Sequence, residues 1–164
     1  MGHERQEPKR DRSRETEPDT DAEGLTVADG GGEAGRTRAR ARVLVVEDDI
    51  ATRDAVAVAL SDQYDVVEAN DGVLALSLLE SHRFDAVVLD LMMPGVNGQQ
   101  VLRAAQARSL SVPFVLASAS EDVEAVARRF GVADYMRKPF GLDDLEAAVS
   151  SAVLRGVWRD SDVS

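Results

Sequence analysis

The chain has 164 residues, a formal net charge of −11 and no cysteine. The acidic excess argues against a direct nucleic-acid binder, and the lack of cysteine excludes disulfides, thiol nucleophiles and cysteine-based metal sites. No apolar run approaches the ~18 residues that span a bilayer, and the first residues lack the apolar core of a signal peptide. We therefore expect a cytoplasmic protein that contacts neither nucleic acid nor a membrane directly.

The composition is uneven along the chain. Residues 1–41 contain hardly any large apolar side chain besides Leu25 and Val27, and they mix acidic with basic residues. Such a segment cannot bury enough apolar surface to offset the entropy lost on ordering, so we predict a disordered charged N-terminal tail. Residues 42–155 have the apolar content of one folded domain, and residues 156–164 are predicted to form a short C-terminal tail.

Within the predicted domain, short apolar runs alternate with segments of helical spacing. Strands are predicted at residues 43–46, 64–68, 84–89, 112–117 and 133–137, and helices at 51–60, after the turn at 70–72 to about 80, at 99–107, at 121–130 with Gly131 as cap, and at about 143–154. Units of this length imply parallel pairing with right-handed crossovers. The predicted fold is α/β: a five-stranded parallel sheet with five helices, doubly wound and flavodoxin-like, (βα)5.

Half of a dinucleotide-binding fold is the alternative for such a sheet. That fold places Gly-x-Gly-x-x-Gly after its first strand, where the glycines let the backbone approach a phosphate. Here the first predicted strand is followed by Glu47-Asp48-Asp49, which repels phosphate unless a cation intervenes. The nucleotide-binding alternative is therefore disfavoured.

Polar side chains follow the ends of four predicted strands: Glu47 and Asp48 the first, Asp90 the third, Ser118 the fourth and Lys138 the fifth. The carboxyl ends of parallel strands share one rim of the sheet, where ligands bind in open α/β folds. Carboxylates that converge are costly unless a cation binds or some of them stay protonated, and oxygen ligands of this kind suit Mg²⁺. Lys138 and Ser118 could hold an anion beside that metal, and Asp90 could accept a phosphoryl group.

Several of these residues also have a purely structural interpretation. Glu47 and Asp48 could cap the following helix, although Asp49 or Thr52 could do so instead. Ser118 could be a plain loop serine or a cap for the next helix. In these alternatives the three residues stabilise local structure and take no part in a binding site.

Residues 42–155 resemble the receiver domain of two-component response regulators. The motifs that carry the resemblance occur in order, each at the end of the expected strand: Glu47-Asp48, Asp90 within Leu89-Asp90-Leu91-Met92-Met93-Pro94-Gly95, Ser118-Ala119, and Lys138-Pro139-Phe140. Any one motif is moderate support at best, whereas the ordered set is specific. One departure is Glu47, which stands where many members carry aspartate.

The resemblance implies a role for each matching residue. Asp90 would be the phosphoacceptor, and Glu47, Asp48 and Asp90 would hold Mg²⁺ together with the backbone carbonyl of Met92. The phosphoryl group would be stabilised by Ser118 and Lys138. Tyr135 matches the aromatic switch position, although simple half-buried packing is its structural alternative. Pro94, Gly95 and Gly98 match loop positions, and the peptide bond before Pro139 is usually cis in the family.

The implied function is that of a stand-alone receiver in a phosphorelay, a signalling protein rather than an enzyme. A histidine kinase or a histidine phosphotransfer protein would donate the phosphoryl group, and a surface on the fourth helix and fifth strand would switch. The sequence does not indicate the downstream protein target, and it allows a transient homodimer.

Three other functions stay open at this stage. One is a phosphorylation-independent receiver scaffold, and another is a receiver fragment of a longer transcriptional regulator. The third is a Mg²⁺-dependent phosphatase of the dehalogenase type, which would want Asp-x-Asp after the first strand. In this chain Glu47 and Asp48 are adjacent, which disfavours the phosphatase.

Overall fold

The computed structural model describes the backbone of residues 39–161 and the side chains of residues 39–156. The predicted disorder of the N-terminal tail lies outside these residues for positions 1–38, as does the side chain of Trp158. Among the described residues, no helix has the length and hydropathy needed to cross a membrane.

Five strands and five helices alternate in the described part of the chain. The strands are β1 (Arg42–Val46), β2 (Asp65–Ala69), β3 (Ala86–Asp90), β4 (Phe114–Ser118) and β5 (Asp134–Arg137). The helices are α1 (Ile50–Leu60), α2 (Gly72–Ser81), α3 (Gly98–Ala107), α4 (Val123–Phe130) and α5 (Leu142–Ser161). All strand pairs are parallel, in the order β2-β1-β3-β4-β5. The predicted flavodoxin-like fold is confirmed.

The sheet is covered on both faces, which explains why β3 and β4 are apolar except for their last residues, Asp90 and Ser118. Every residue of β3 and β4 is buried, as expected for parallel strands between two helix layers. One apolar cluster packs α2, α3 and α4 against one face, and the other packs α1 and α5 against the opposite face. Successive residues of β1 alternate between the clusters, with Leu44 in the first and Val45 in the second.

The last helix differs most from the prediction. It was predicted to end near residue 154, but α5 continues to Ser161, so residues 156–161 of the predicted tail are helical. Gly156 passes close beneath the sheet, where a Cβ would lie 3.1 Å from the Asp85 carbonyl oxygen. Arg155 forms an ion pair with Asp134 at the start of β5. These tertiary contacts hold the helix past a glycine that would otherwise weaken it. Elsewhere the bounds differ by at most two residues.

Candidate functional site

An acidic cluster lies at the carboxyl ends of the neighbouring strands β1 and β3. Glu47 directly follows β1 and Asp90 is the last residue of β3. One carboxylate oxygen from each of Glu47, Asp48 and Asp90 lies within 4.8 Å of the others. Glu47 and Asp90 are only 4% and 3% exposed, whereas Asp48 faces solvent. The chain passes from β1 to β2 on one side and from β3 to β4 on the other, and open α/β sheets form a binding crevice where the strand order reverses in this way.

A lysine that directly follows the edge strand β5 reaches into this cluster. The Nζ of Lys138 lies 2.6 Å from Glu47 Oε2 and 3.5 Å from Asp90 Oδ2. The Lys138 amide donates to the Ser118 carbonyl at 2.9 Å, and the peptide bond between Lys138 and Pro139 is cis. The sequence prediction that Lys138 joins the acidic residues is therefore realised in the geometry.

Glu47 is held by four hydrogen bonds. Its amide donates to the Ala69 carbonyl at 3.1 Å, and its carbonyl accepts from Arg53 at 3.0 Å. Its side-chain Oε1 accepts from the Asp49 amide at 3.2 Å, and Oε2 accepts from Lys138. Both carboxylate oxygens of Glu47 are thus engaged within the protein.

The same contacts shift two pKa values. Burial raises the pKa of Glu47 above its ordinary 4.5, helped by the nearby charge of Asp90, although the hydrogen bond from Lys138 opposes this. Burial alone would lower the pKa of Lys138, but the hydrogen bond to Glu47 and the charge of Asp90 outweigh it, so that pKa lies above 10.5. Lys138 is therefore a cation in the site throughout the physiological range.

Asp49, rather than Glu47 or Asp48, caps helix α1. Its Oδ1 accepts from the Ala51 amide at 3.3 Å, and its Oδ2 accepts from the Thr52 hydroxyl at 3.1 Å. An N-cap carboxylate satisfies donors that the first helical turn leaves free. Glu47 and Asp48 are consequently not needed as caps, which removes the structural alternative for both.

Ser118 ends β4 with no exposed surface. Its Oγ accepts from the Ser120 amide at 3.1 Å, and α4 begins only at Val123, with Asp122 at the N-cap position. The interpretation of Ser118 as a helix cap is therefore wrong. Its hydroxyl hydrogen is still available as a donor.

The loop after β3 orients the Asp90 carboxylate. The Met92 amide donates to Asp90 Oδ1 at 3.1 Å, while the Met92 side chain is 60% exposed. Pro94 and Gly95 form the turn of this loop, and Gly95 has a φ of +75°, which glycine adopts without strain. Tyr135 stands apart from the cluster on β5, 39% exposed.

Two contacts around the site escape the sequence analysis. The guanidinium of Arg53 holds the Glu47 carbonyl and lies 3.5 Å from Glu68 on β2. Gly98, the first residue of α3, packs against the backbone after Asp90, where a Cβ would lie 2.6 Å from the Leu91 Cα. The helical spacing places Arg53 one turn after Asp49, which was a usable signal for its position beside Glu47.

The donor set fits a hard divalent cation. Three carboxylates converge, one of them open to solvent, and Mg²⁺ prefers such oxygen ligands while keeping several waters. A softer metal would favour histidine or cysteine ligands, and this cluster contains neither.

Comparisons with known proteins agree with this geometry. The sequence model of the family described as "Response regulator receiver domain" matches residues 43–150. "Response regulator MprA" of Mycobacterium ulcerans (strain Agy99) is 38% identical over 126 residues, which cover 75% of this chain and 54% of that protein. "Response regulator MprA" of Mycobacterium sp. (strain KMS) is 41% identical over 117 residues, covering 70% of this chain and 51% of that protein. The chain thus spans about half the length of these curated relatives.

Two solved receiver-type structures match over nearly their whole length. The receiver domain of the Francisella response regulator 1452 has a TM-score of 0.66 at 28% identity, covering 71% of this chain and 98% of that chain. The Vibrio cholerae chemotaxis protein CheY4 has a TM-score of 0.64 at 28% identity, covering 70% and 99%. The chain belongs to the response regulator receiver domain family, the phosphoacceptor signalling domains of two-component systems.

Proposed function

We propose that Asp90 is the residue of this receiver that accepts a phosphoryl group. The observation that carries the proposal is the placement of its Oδ2 at 3.5 Å from the amine of Lys138, beside two further carboxylates. Asp90 is almost fully buried at the end of its strand, and the Lys138 amine and two other carboxylates lie close to it. That combination suits transfer of a dianionic group better than packing.

The donor is a phosphohistidine of a histidine kinase or a phosphotransfer protein. An Asp90 carboxylate oxygen attacks phosphorus, the phosphorus–nitrogen bond breaks, and the imidazole nitrogen keeps the electron pair while an acyl phosphate forms. The Met92 amide fixes the attacking carboxylate through Oδ1. Lys138 and the Ser118 hydroxyl neutralise the phosphoryl oxygens.

Glu47, Asp48 and Asp90, with the Met92 carbonyl, would hold Mg²⁺. The metal, when bound, neutralises charge on the carboxylates and on the phosphoryl oxygens. The residues of the chain do the positioning: Arg53 and the Asp49 amide hold Glu47, and α1 needs neither Glu47 nor Asp48 as a cap. The loop with Pro94 and Gly95 lies between Asp90 and α3 and forms part of the rim of the site.

The output is a protein contact, switched when Ser118 moves toward the phosphoryl group and Tyr135 turns inward. Tyr135 is partly exposed on β5, and α4 and α5 both contact that strand, so a change in the position of Tyr135 alters the surface there. We place the protein in the cytoplasm. Its partners there are an unidentified downstream protein and, transiently, a second copy of itself. We assign this role to the domain of residues 42–155.

Acetyl phosphate tests the acceptor directly. Purified full-length protein should gain the mass of one phosphoryl group only with Mg²⁺, and hydroxylamine should remove it, as expected for an acyl phosphate. Asp90→Asn should abolish the gain. Asp65→Asn, at an exposed residue of β2, is the matched control and should keep it. Equal labelling of the Asp90→Asn protein would overturn the assignment.

A further inference from the structure

Arg53 contacts the backbone on both sides of Asp48. Its side-chain Nη1 donates to the Glu47 carbonyl at 3.0 Å, and its amide donates to the Asp49 carbonyl at 2.9 Å. The second contact is the ordinary main-chain bond of the first turn of α1, whereas the first depends on the guanidinium. One residue of α1 therefore fixes the carbonyl before Asp48 and the carbonyl after it.

Asp48 depends on its backbone more than the other two acids of the cluster do. The carboxylates of Glu47 and Asp90 both accept hydrogen bonds within the protein. Among the described residues, no hydrogen bond reaches the carboxylate of Asp48, which faces solvent. Its direction is therefore set by the main chain that Arg53 fixes on both sides.

Arg53 is itself anchored to the edge strand β2. Its Nε lies 3.5 Å from Glu68 Oε1, and its side chain is only 14% exposed. The next residue of β2, Ala69, accepts from the Glu47 amide at 3.1 Å. The strand thus contacts the segment of Glu47 directly through Ala69 and indirectly through Arg53. A planar guanidinium suits this bridge because separate nitrogens donate in fixed directions.

We propose that Arg53 is a positioning residue of the candidate cation site. It fixes the peptide between Glu47 and Asp48, so that both carboxylates converge with that of Asp90. This inference rests on the proposed function, because it concerns the site of the same cation. The guanidinium is not a ligand: it acts through the residues that are, and ligands ordered in advance bind a cation more tightly.

Charge and positioning predict opposite effects when Arg53 is replaced. A positive group near carboxylates repels Mg²⁺, so loss of its charge alone would tighten Mg²⁺ binding. Loss of the contact to the Glu47 carbonyl would leave Asp48 less ordered and weaken binding. Arg53→Met removes charge and contact, whereas Arg53→Lys keeps the charge but offers one nitrogen for two acceptors. Both variants should raise the Kd for Mg²⁺ about tenfold, as is typical when contacts that orient metal ligands are lost.

Calorimetric titration of the full-length, unphosphorylated protein with Mg²⁺ measures this Kd. Glu68→Asp keeps its charge but draws the carboxylate back by about 1.5 Å, so it should raise Kd less than Arg53→Lys does. In the Arg53→Lys background the effect of Glu68→Asp should disappear, because the bridge is already broken. Arg108→Lys is the matched control: Arg108 pairs with Glu80 between the ends of α2 and α3, and its replacement should leave Kd unchanged.

Two results would overturn the proposal. One is an unchanged Kd in both Arg53 variants, with a lower melting temperature without metal, which is the pattern of a merely structural residue. The other is tighter binding in Arg53→Met with the wild-type Kd in Arg53→Lys, which is charge repulsion alone. If the Arg53 variants do not fold, Glu68→Asp decides, because its side chain is 42% exposed and its charge is kept.

The same titrations distinguish failure of this inference from failure of the proposed function. If Kd is unchanged while acetyl phosphate still labels Asp90 in every variant, the proposed function stands and only the positioning role of Arg53 fails. If Mg²⁺ does not bind to the wild type, both fail.

Discussion

Gly98, at the start of α3, lies directly against the chain that carries Asp90. Its amide donates to the Leu91 carbonyl at 3.2 Å, and a Cβ built on Gly98 would approach the Asp90 carbonyl oxygen and lie 2.6 Å from the Leu91 Cα. Real Cβ atoms do not approach backbone this closely. The helix therefore fixes the position of the acceptor through a contact that only glycine allows.

Gly98→Ala should destabilise the protein and impair the acceptor together. Backbone on both sides must shift, at a cost of about 1–3 kcal/mol in unfolding free energy, as for other overpacked sites. Urea unfolding measures the first effect and the rate of labelling by acetyl phosphate the second. Gly141→Ala is the control, because a Cβ there meets only the Asp144 carboxylate at an ordinary 3.6 Å. Equal effects of both substitutions would show that the close contact is not responsible.

The raised pKa of Glu47 predicts a pH dependence of stability without metal. A carboxyl whose folded pKa lies above its unfolded value binds protons more tightly when folded, so its contribution falls as pH rises between the two values. The window begins near the ordinary pKa of 4.5 and extends upward to the raised value. The unfolding free energy of wild type should drop across it relative to Glu47→Gln, which cannot ionise. A difference that stays constant from pH 4 to 8 would contradict the raised pKa.

Much of this fold follows from the sequence because its strands are buried on both faces. Val87-Val88-Leu89 and Val115-Leu116-Ala117 are unbroken apolar runs, which distinguish them from the amphipathic helices between. The helix end at Ser161 was missed because local signals at Gly156 favour termination. Packing beneath Asp85 and the ion pair of Arg155 with Asp134 overrule those signals, and neither contact has a pattern in the nearby sequence.

The site was predictable to the level of which residues meet, but not of which atoms bond. Parallel strands deliver their ends to one rim, so Glu47, Asp90 and Lys138 had to converge. The preference of Lys138 for Glu47 over Asp90 depends on a difference of 0.9 Å between two distances, 2.6 and 3.5 Å. Side-chain length and rotamer decide that difference, and strand order does not constrain either.

Substitutions of the neighbouring residues Asp48 and Asp49 should affect metal binding and helix capping separately. Asp48→Asn should abolish the rise in melting temperature that Mg²⁺ causes, because one of the three converging carboxylates is lost, while metal-free stability stays level or rises as repulsion is relieved. Asp49→Ala should do the opposite: it should cost about 1 kcal/mol through loss of the α1 cap, and the Mg²⁺ response should remain. Thermal unfolding with and without Mg²⁺ measures both. If Asp49→Ala alone removed the response, the roles of the two residues would be reversed.

The two tyrosines of the chain, Tyr64 and Tyr135, allow the switch to be observed without other labels. Tyr135 is 39% exposed on β5, whereas Tyr64, just before β2, packs against the apolar cluster of α1 and α5. In protein carrying 3-fluorotyrosine, phosphorylation by acetyl phosphate and Mg²⁺ should move the ¹⁹F resonance of Tyr135 as its ring turns inward, and leave that of Tyr64 in place. Asp90→Asn should suppress the change, and so should Ser118→Ala if the hydroxyl couples the acceptor to the ring. A Tyr135 resonance that stays fixed while mass spectrometry shows full phosphorylation would mean that this tyrosine only packs against its strand.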